Sequence, residues 1–302
     1  MGSAEVVRTL RQRSTPVCRW ACVAVIAAGL LATSCSAGLA GSAAGVAAPS
    51  VAPMTEAPPT GYDGLMGLPL SEYGTSEQDD LLLYQTNEAL VAQCMTSHGY
   101  ATYSKRRTTA PSKKTRAERE VVRPAGNWGY IGGATAKRAG FHVAVQVPIS
   151  KGPTGRELKD YNVCWDRADK KLPSLTDTEG WKLTQDLFGR SLQQAAEDRR
   201  VAAARKNWSS CMSTAGHPAD DPQKLADSFR DTKKASVMEI AAAIADESCT
   251  RSTNLAGIYF AVLAGYQQHL VAANTKVLTD YKKQIDARVD RAAHLLAATD
   301  TT

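Results

Sequence analysis

LVAQCMTSHGY, residues 90–100, is echoed farther along the chain by NWSSCMSTAGH, residues 207–217. In both stretches Cys and Met stand side by side at the end of a helical apolar pattern, and a glycine follows the methionine after four residues. Glycine takes the left-handed backbone that ends a helix at little cost, so each stretch predicts the last turns of a helix. A second helical segment with one cysteine then follows each stretch. The chain therefore predicts a duplicated helix-plus-cysteine module in a mainly α, disulfide-stapled helical bundle.

Helical spacing and capping residues extend this pattern on both sides. Thr75 or Ser76 is suited to cap the helix that ends in the first stretch, and Asp221 followed by Pro222 is typical of the start of a short helix. Apolar residues three and four apart predict further helices over 156–172, over 178–215, which Gly189 could interrupt, and from Ala235 onward.

A long C-terminal helix is predicted over residues 255–297, where no proline occurs and apolar residues recur every three or four positions. Forty helical residues would span about 60 Å, which exceeds the size of a small helical domain. Two alternatives follow. The helix folds back along the bundle, or its distal half projects and self-associates with a second copy through residues 255–297.

The pattern breaks between residues 100 and 153, which predicts one irregular insertion with a short strand over 141–149. A basic run lies within it and carries a local net charge of +6. Such a run could contact a polyanion, either anionic lipid or a cell-wall polymer, or it could simply be a solvated loop. Nucleic acid is disfavoured because aromatic residues are not interleaved with the charges. The basic residues are Lys105, Arg106, Arg107, Lys113, Lys114, Arg116, Arg119 and Arg123.

The N-terminus is typical of a lipoprotein signal peptide. Arginines precede a short apolar run over 20–32, and small residues then lead into Cys35. In such a leader the cysteine is lipidated and becomes the first residue of the mature protein, while cleavage within 37–48 and secretion is the alternative. The run is too short for an ordinary membrane span.

Three segments follow from this interpretation. Residues 1–34 are a signal peptide, 35–60 are a flexible linker rich in Ala, Gly, Ser and Pro, and 61–302 are a helical domain with candidate submodules 77–175 and 176–302. Removing residues 1–34 takes away four arginines and one glutamate, so the formal charge falls from +6 to +3.

Four cysteines remain in the predicted domain, an even number in an oxidising compartment, which favours two disulfides. Three pairings are possible. The repeated module favours Cys94–Cys164 and Cys211–Cys249, each joining an echoed helix to the next helix that carries a cysteine. No tight Cys or His spacing indicates a metal site, and no paired His motif supports thiol catalysis.

The repeated C-M-x-x-x-G elements, together with Ala136–His142 between them and the long last helix, resemble a group of uncharacterised secreted or lipid-anchored actinobacterial proteins. His217 stands where that group carries an aromatic residue. The resemblance implies an extracytoplasmic location and disulfides, and it implies no particular activity.

No catalytic residues and no cofactor can be assigned, because the sequence lacks a hydrolase elbow, a zincin motif and a phosphate loop. The favoured hypothesis is a cell-envelope lipoprotein, held at the membrane by its lipid, with a non-enzymatic binding or structural role toward an envelope protein or a wall polymer. The alternative is an extracellular enzyme or small-ligand receptor with a site near residues 128–142, built around Trp128 and His142.

Overall fold

The computed structural model describes residues 49–50, 67–101, 103, 131–141, 153–229 and 234–300. These residues are mainly helical and contain no strand. The strand expected over 141–149 falls on residues outside this description except for Phe141, which lies in a turn. In these ranges a 3-10 turn, Pro69–Tyr73, precedes nine helices: α1 Glu77–Ser97, α2 Gly133–Ala139, α3 Gly155–Lys171, α4 Glu179–Glu197, α5 Arg199–Thr214, α6 Pro222–Asp227, α7 Val237–Ser252, α8 Leu255–Ala273 and α9 Thr275–Asp300.

Both echoed stretches end their helices in the same way. The Tyr100 backbone N–H donates to the Met95 carbonyl over 3.0 Å, and the His217 N–H donates to the Met212 carbonyl over 2.9 Å. The glycine before each donor has a left-handed backbone, with φ of 93° at Gly99 and 81° at Gly216. The two stretches therefore form matching Schellman motifs, as the sequence predicts.

The starts of the helices also follow the sequence. Ser76, rather than Thr75, caps α1: its hydroxyl accepts from the Asp79 N–H at 3.1 Å, and the Asp79 carboxylate accepts from the Ser76 N–H at 2.9 Å. Asp221 caps α6 by accepting from the N–H groups of Gln223 and Lys224. Each cap satisfies backbone donors that the first turn of a helix leaves without partners.

The helix predicted over 178–215 is interrupted at Asp198 and not at Gly189. Asp198 has an extended backbone, and its side chain accepts from the Arg200 N–H as the N-cap of α5. Gly189 lies exposed inside α4, where a glycine is tolerated at a modest cost.

The predicted long C-terminal helix is confirmed as α9, but its predicted extent over 255–297 is wrong, because Asn274 separates α9 from α8. Leu270 before the break and Leu278 after it are both buried in one cluster with Leu70 and Leu187. The helices on the two sides of Asn274 therefore contribute to the same core cluster.

Helix α8 lies at the centre of the bundle and packs against α4, α5 and α7. Its fully buried side chains include Leu255, Phe260 and Leu263. Helix α9 packs against α1 and α4, and Leu278, Tyr281, Ile285 and Ala292 form its buried face. The apolar seam of the C-terminal segment is therefore packed within the chain, and self-association through 255–297 stays a prediction.

None of the helices in the described ranges is long and apolar enough to span a membrane.

Candidate functional site

Two disulfides each join a pair of helices, with one disulfide in each predicted module. Cys94 of α1 is bonded to Cys164 of α3, with the Cα atoms 5.5 Å apart, and Cys211 of α5 is bonded to Cys249 of α7, with the Cα atoms 5.7 Å apart. These are the two pairs that the repeated module predicts. Each disulfide ties an echoed helix to the next helix that carries a cysteine.

The first disulfide lies beside a polar group on the surface of α1 and α3. His98 Nδ1 is 3.4 Å from Asp160 Oδ1, and the Tyr100 hydroxyl donates to Asp160 Oδ2 over 2.8 Å. The hydrogen bond from Tyr100 is the main cause that holds the pKa of Asp160 below its usual value. Arg167 Nη1 lies 3.8 Å from Cys94 Sγ.

His98, Cys94 and Cys164 bring three potential metal-ligand atoms within 4.8 Å of one another. The two sulfur atoms are bonded to each other, however, and only a thiolate binds a metal as cysteine normally does. His98 is then the one remaining ligand of the three. The arrangement is that of a structural disulfide with a polar neighbour.

The second disulfide lacks the histidine of the first, since Ala215 occupies the place in the second stretch that His98 has in the first. Cys249 is buried, and the Ser252 hydroxyl is 3.9 Å from Cys211 Sγ. The two modules thus share a backbone motif and a disulfide, while the groups around the sulfur atoms differ.

Three buried carboxyl groups on α7 form the most unusual polar arrangement in the described part of the chain. Glu239, Asp246 and Glu247 have relative exposures of 0%, 5% and 6%. Acidic side chains are almost never this buried unless partners satisfy them. Their partners lie at the two ends of α2, on α5 and on α7 itself.

Glu247 holds the start of α2. Its Oε2 accepts from the N–H groups of Ile131 and Gly132 over 2.9 and 3.0 Å, and its Oε1 accepts from Arg251 Nε over 2.6 Å. An acceptor at the N-terminal end of a helix satisfies donors that the helix itself cannot. Helix α2 is short, and Glu247 thus fixes where it begins.

Glu239 holds the other end of α2. Its Oε1 accepts from the Phe141 N–H over 2.9 Å. The preceding residue, Gly140, has φ of 56°, and a Cβ atom there would lie 2.8 Å from Glu239 Oε1. The Phe141 ring stacks on Phe229 with centroids 5.7 Å apart. The element 131–141 is therefore attached to α7 at both ends.

Asp246 lies between these two glutamates and faces α5. Trp208 Nε1 donates to Asp246 Oδ1 over 2.9 Å, and Trp208 itself is fully buried. Burial raises the pKa of Asp246 to about 7, although the hydrogen bond from Trp208 acts in the opposite direction. Asp246 thus changes its charge near neutral pH inside the second module.

A fourth buried acid is found where α4 meets α5. The Asp198 side chain is 1% exposed and receives three side-chain hydrogen bonds: from Arg200 Nε at 2.9 Å, from Arg200 Nη2 at 2.8 Å and from the Tyr266 hydroxyl at 3.1 Å. The bidentate pairing with Arg200 is the largest cause that keeps the pKa of Asp198 below its usual value. Arg200 Nη1 in turn donates to the carbonyl of Pro49 over 2.6 Å.

Several residues singled out from the sequence lie outside the described ranges, namely Cys35, the basic residues 105–123, Trp128 and His142. The predicted site near 128–142 is therefore seen only from Ile131 to Phe141, where backbone groups are bound by Glu239 and Glu247.

The buried acids of α7 were not anticipated from the sequence, although it contains a signal. Glu239, Asp246 and Glu247 stand at positions i, i+7 and i+8, which belong to one face of a helix, and that face also carries Ala242 and Ala243. Acids on a predicted apolar face indicate buried polar contacts.

Comparison of the chain with known protein families, with curated proteins and with solved structures finds no match. The similarity to actinobacterial envelope proteins remains a prediction from the sequence motifs.

Proposed function

We propose that this chain is a lipid-anchored protein of the outer face of a bacterial cell membrane, with a non-enzymatic binding or structural role. The observation that carries the proposal is the pair of disulfides, each within its own module. Disulfides persist in oxidising compartments and are rare in the cytosol of most bacteria. An extracytoplasmic location is consistent with them. The lipid anchor rests on the leader and on Cys35.

The buried polar groups favour a structural role over a catalytic one. Glu239 and Glu247 accept hydrogen bonds from the backbone around α2, Asp246 accepts from Trp208, and Asp198 is paired with Arg200. A general acid or base has to reach a substrate, whereas these carboxyl groups face other elements of the same chain. Their geometry supports a rigid scaffold.

The basic segment is the element that we propose as the binding surface. Before it, Tyr103 is 2% exposed and belongs to the cluster around Cys164. After it, Ile131 and Gly132 donate to Glu247. The bundle thus holds both ends of the segment, and eight basic residues lie between them. We propose that these residues bind anionic lipid or a wall polymer near the membrane.

Metabolic labelling with palmitate tests the anchor. Labelled lipid should enter the wild-type protein and should be absent from Cys35→Ala, which should appear in the medium or remain unprocessed. Cys22→Ala, a cysteine inside the predicted signal peptide, is the matched control and should label normally. Unlabelled wild-type protein that begins within residues 36–48 would refute the lipoprotein proposal and leave a secreted protein.

A further inference from the structure

Pro49 belongs to the segment predicted as a flexible linker, yet it is a buried residue of the folded domain. Its carbonyl oxygen accepts from Arg200 Nη1 over 2.6 Å. A charged donor gives a stronger hydrogen bond than a neutral one, and its directionality fixes the position of the acceptor. The linker is therefore attached to the domain well before the first helix begins.

Arg200 is held in place for this contact. Two of its nitrogen atoms, Nε and Nη2, pair with the two carboxylate oxygens of Asp198, which leaves Nη1 for Pro49. Asp198 also accepts from the Tyr266 hydroxyl of the central helix α8. A planar guanidinium bound in this bidentate way has a fixed orientation.

The N-terminal segment also contacts α8 directly. The Leu70 N–H donates to Gln267 Oε1 over 3.1 Å, and Gln267 follows Tyr266 in α8. Gln267 Nε2 donates to Ser191 of α4 over 3.2 Å. Successive residues of α8 thus support two contacts with the N-terminal segment.

We propose that Asp198, Arg200 and Tyr266 form a clamp for the tether, residues 35–50, by fixing it at Pro49, and that this clamp limits how far the domain can lie from a lipid on Cys35. The inference rests on the proposed anchor at Cys35. From Cys35 to Pro49 there are 14 residues, which span at most about 50 Å in any conformation. From Cys35 to Gly67 there are 32 residues, with a maximum span of roughly 110 Å. The clamp shortens the reach of the domain by more than half.

Limited digestion with elastase tests the clamp on mature chain 35–302 with its disulfides intact. The tether should be cut beside Pro49 roughly tenfold faster in Arg200→Gln, because cleavage follows the population of the released state. Pro49→Gly keeps the carbonyl acceptor and the pair of Asp198 and Arg200, but it removes the buried ring and the fixed backbone angle of proline, so it should also accelerate cutting. Arg199→Gln, at the neighbouring exposed residue, should not. Circular dichroism separates release of the tether from unfolding of the domain. Unchanged cutting in both Arg200→Gln and Pro49→Gly would overturn the clamp.

Energy transfer to a lipid acceptor tests whether the clamp limits the distance between the domain and the membrane. The mature chain has one free thiol, Cys35, which is coupled to maleimide lipid in phosphatidylcholine–phosphatidylglycerol vesicles, so the result does not depend on natural acylation. Fluorescent amino acids replace the exposed Ala196, at the junction, or the exposed Ala215, at the far end of α5 about 24 Å away.

Arg200→Gln should lower the transfer from positions 196 and 215, because release of Pro49 lengthens the chain between the lipid and the domain. No effect of Arg200→Gln on the transfer, where elastase shows release, would overturn the proposed limit on reach. A failure of palmitate labelling in cells would refute the natural anchor and leave the clamp itself intact.

Discussion

The buried Asp246 makes the stability of the second module depend on pH. Its carboxyl group is nearly excluded from water, and Trp208 supplies a hydrogen bond. Burial penalises the charged form, so the pKa is raised from 3.8 to about 7. The unfolded chain keeps the ordinary value. The contribution of Asp246 to stability is therefore complete below about pH 4 and is lost as the pH rises to about 7.

Asp246→Asn should remove this dependence, because an amide oxygen can accept from Trp208 and the amide carries no charge. The free energy of unfolding of the wild type, relative to that of the variant, should fall between about pH 4 and pH 7 and then level off. Urea denaturation across this range measures the difference. Parallel stability curves for the two proteins would show that Asp246 does not titrate on folding.

Some residue-scale features follow from sequence alone and others do not. The caps at Ser76 and Asp221 and the left-handed glycines depend on a few neighbouring residues, so local chemistry predicts them. The partners of Glu239 and Glu247 are about 100 residues away in the chain. Which buried acid meets which backbone group is decided only when α2 packs on α7.

At the scale of single elements, the helices follow from apolar spacing, but their interruptions do not. Gly189 has the lower helix propensity, and yet the chain turns at Asp198, where Arg200 and Tyr266 supply partners for a buried carboxylate. The chain also leaves the helix at Asn274, although the apolar spacing continues on both sides. Tertiary contacts override a local preference that is worth less than about 1 kcal/mol.

Two glycines of α4 provide a matched test of how α4 packs on α9. A Cβ atom at Gly180 would lie 2.3 Å from the Tyr281 Cβ, whereas a Cβ at Gly189 would meet nothing within 4 Å. Gly180→Ala should destabilise the protein by about 2 kcal/mol or more, because Tyr281 or the backbone has to move. Gly189→Ala should stabilise it by about 0.5–1 kcal/mol through helix propensity.

Chemical denaturation of both variants measures these changes. Similar stabilities of the two alanine variants would contradict the close contact between Gly180 and Tyr281.

The disulfides should stabilise separate pairs of elements. They close loops of 70 and 38 residues, and the chain-entropy model gives each a stabilisation of about 4 kcal/mol. Replacing both Cys211 and Cys249 by Ala should reduce amide protection mainly in α5 and α7. Replacing both Cys94 and Cys164 should reduce it mainly in α1 and α3. Hydrogen exchange measures the amide protection of each helix. An equal loss of protection over all four helices in both variants would contradict the expectation that each disulfide stabilises its own pair of helices.

For the whole molecule, the proposed binding surface predicts a dependence on salt. Binding of the mature protein to phosphatidylglycerol vesicles should weaken steeply as salt increases, because exposed charges are screened beyond about 8 Å at physiological ionic strength. Replacing Arg106, Arg107 and Lys113 by Glu should abolish this binding. Replacing the exposed Lys170, Lys171 and Lys206 by Glu is the control and should leave binding in place. Sedimentation of the vesicles measures binding. Binding that is unaffected by salt and by charge reversal would show that the segment is only a solvated loop.

We propose that a disulfide-stapled helical domain is held at the outer membrane face by a lipid on Cys35. Mass spectrometry of the protein purified from bacterial membranes without reduction tests the lipid and the disulfides together. We expect an N-terminal peptide that begins at Cys35 and carries a diacylglyceryl group, together with Cys94–Cys164 and Cys211–Cys249 peptides. An unmodified N-terminus within residues 36–48, or a peptide that links Cys94 to Cys211 or to Cys249, would contradict it.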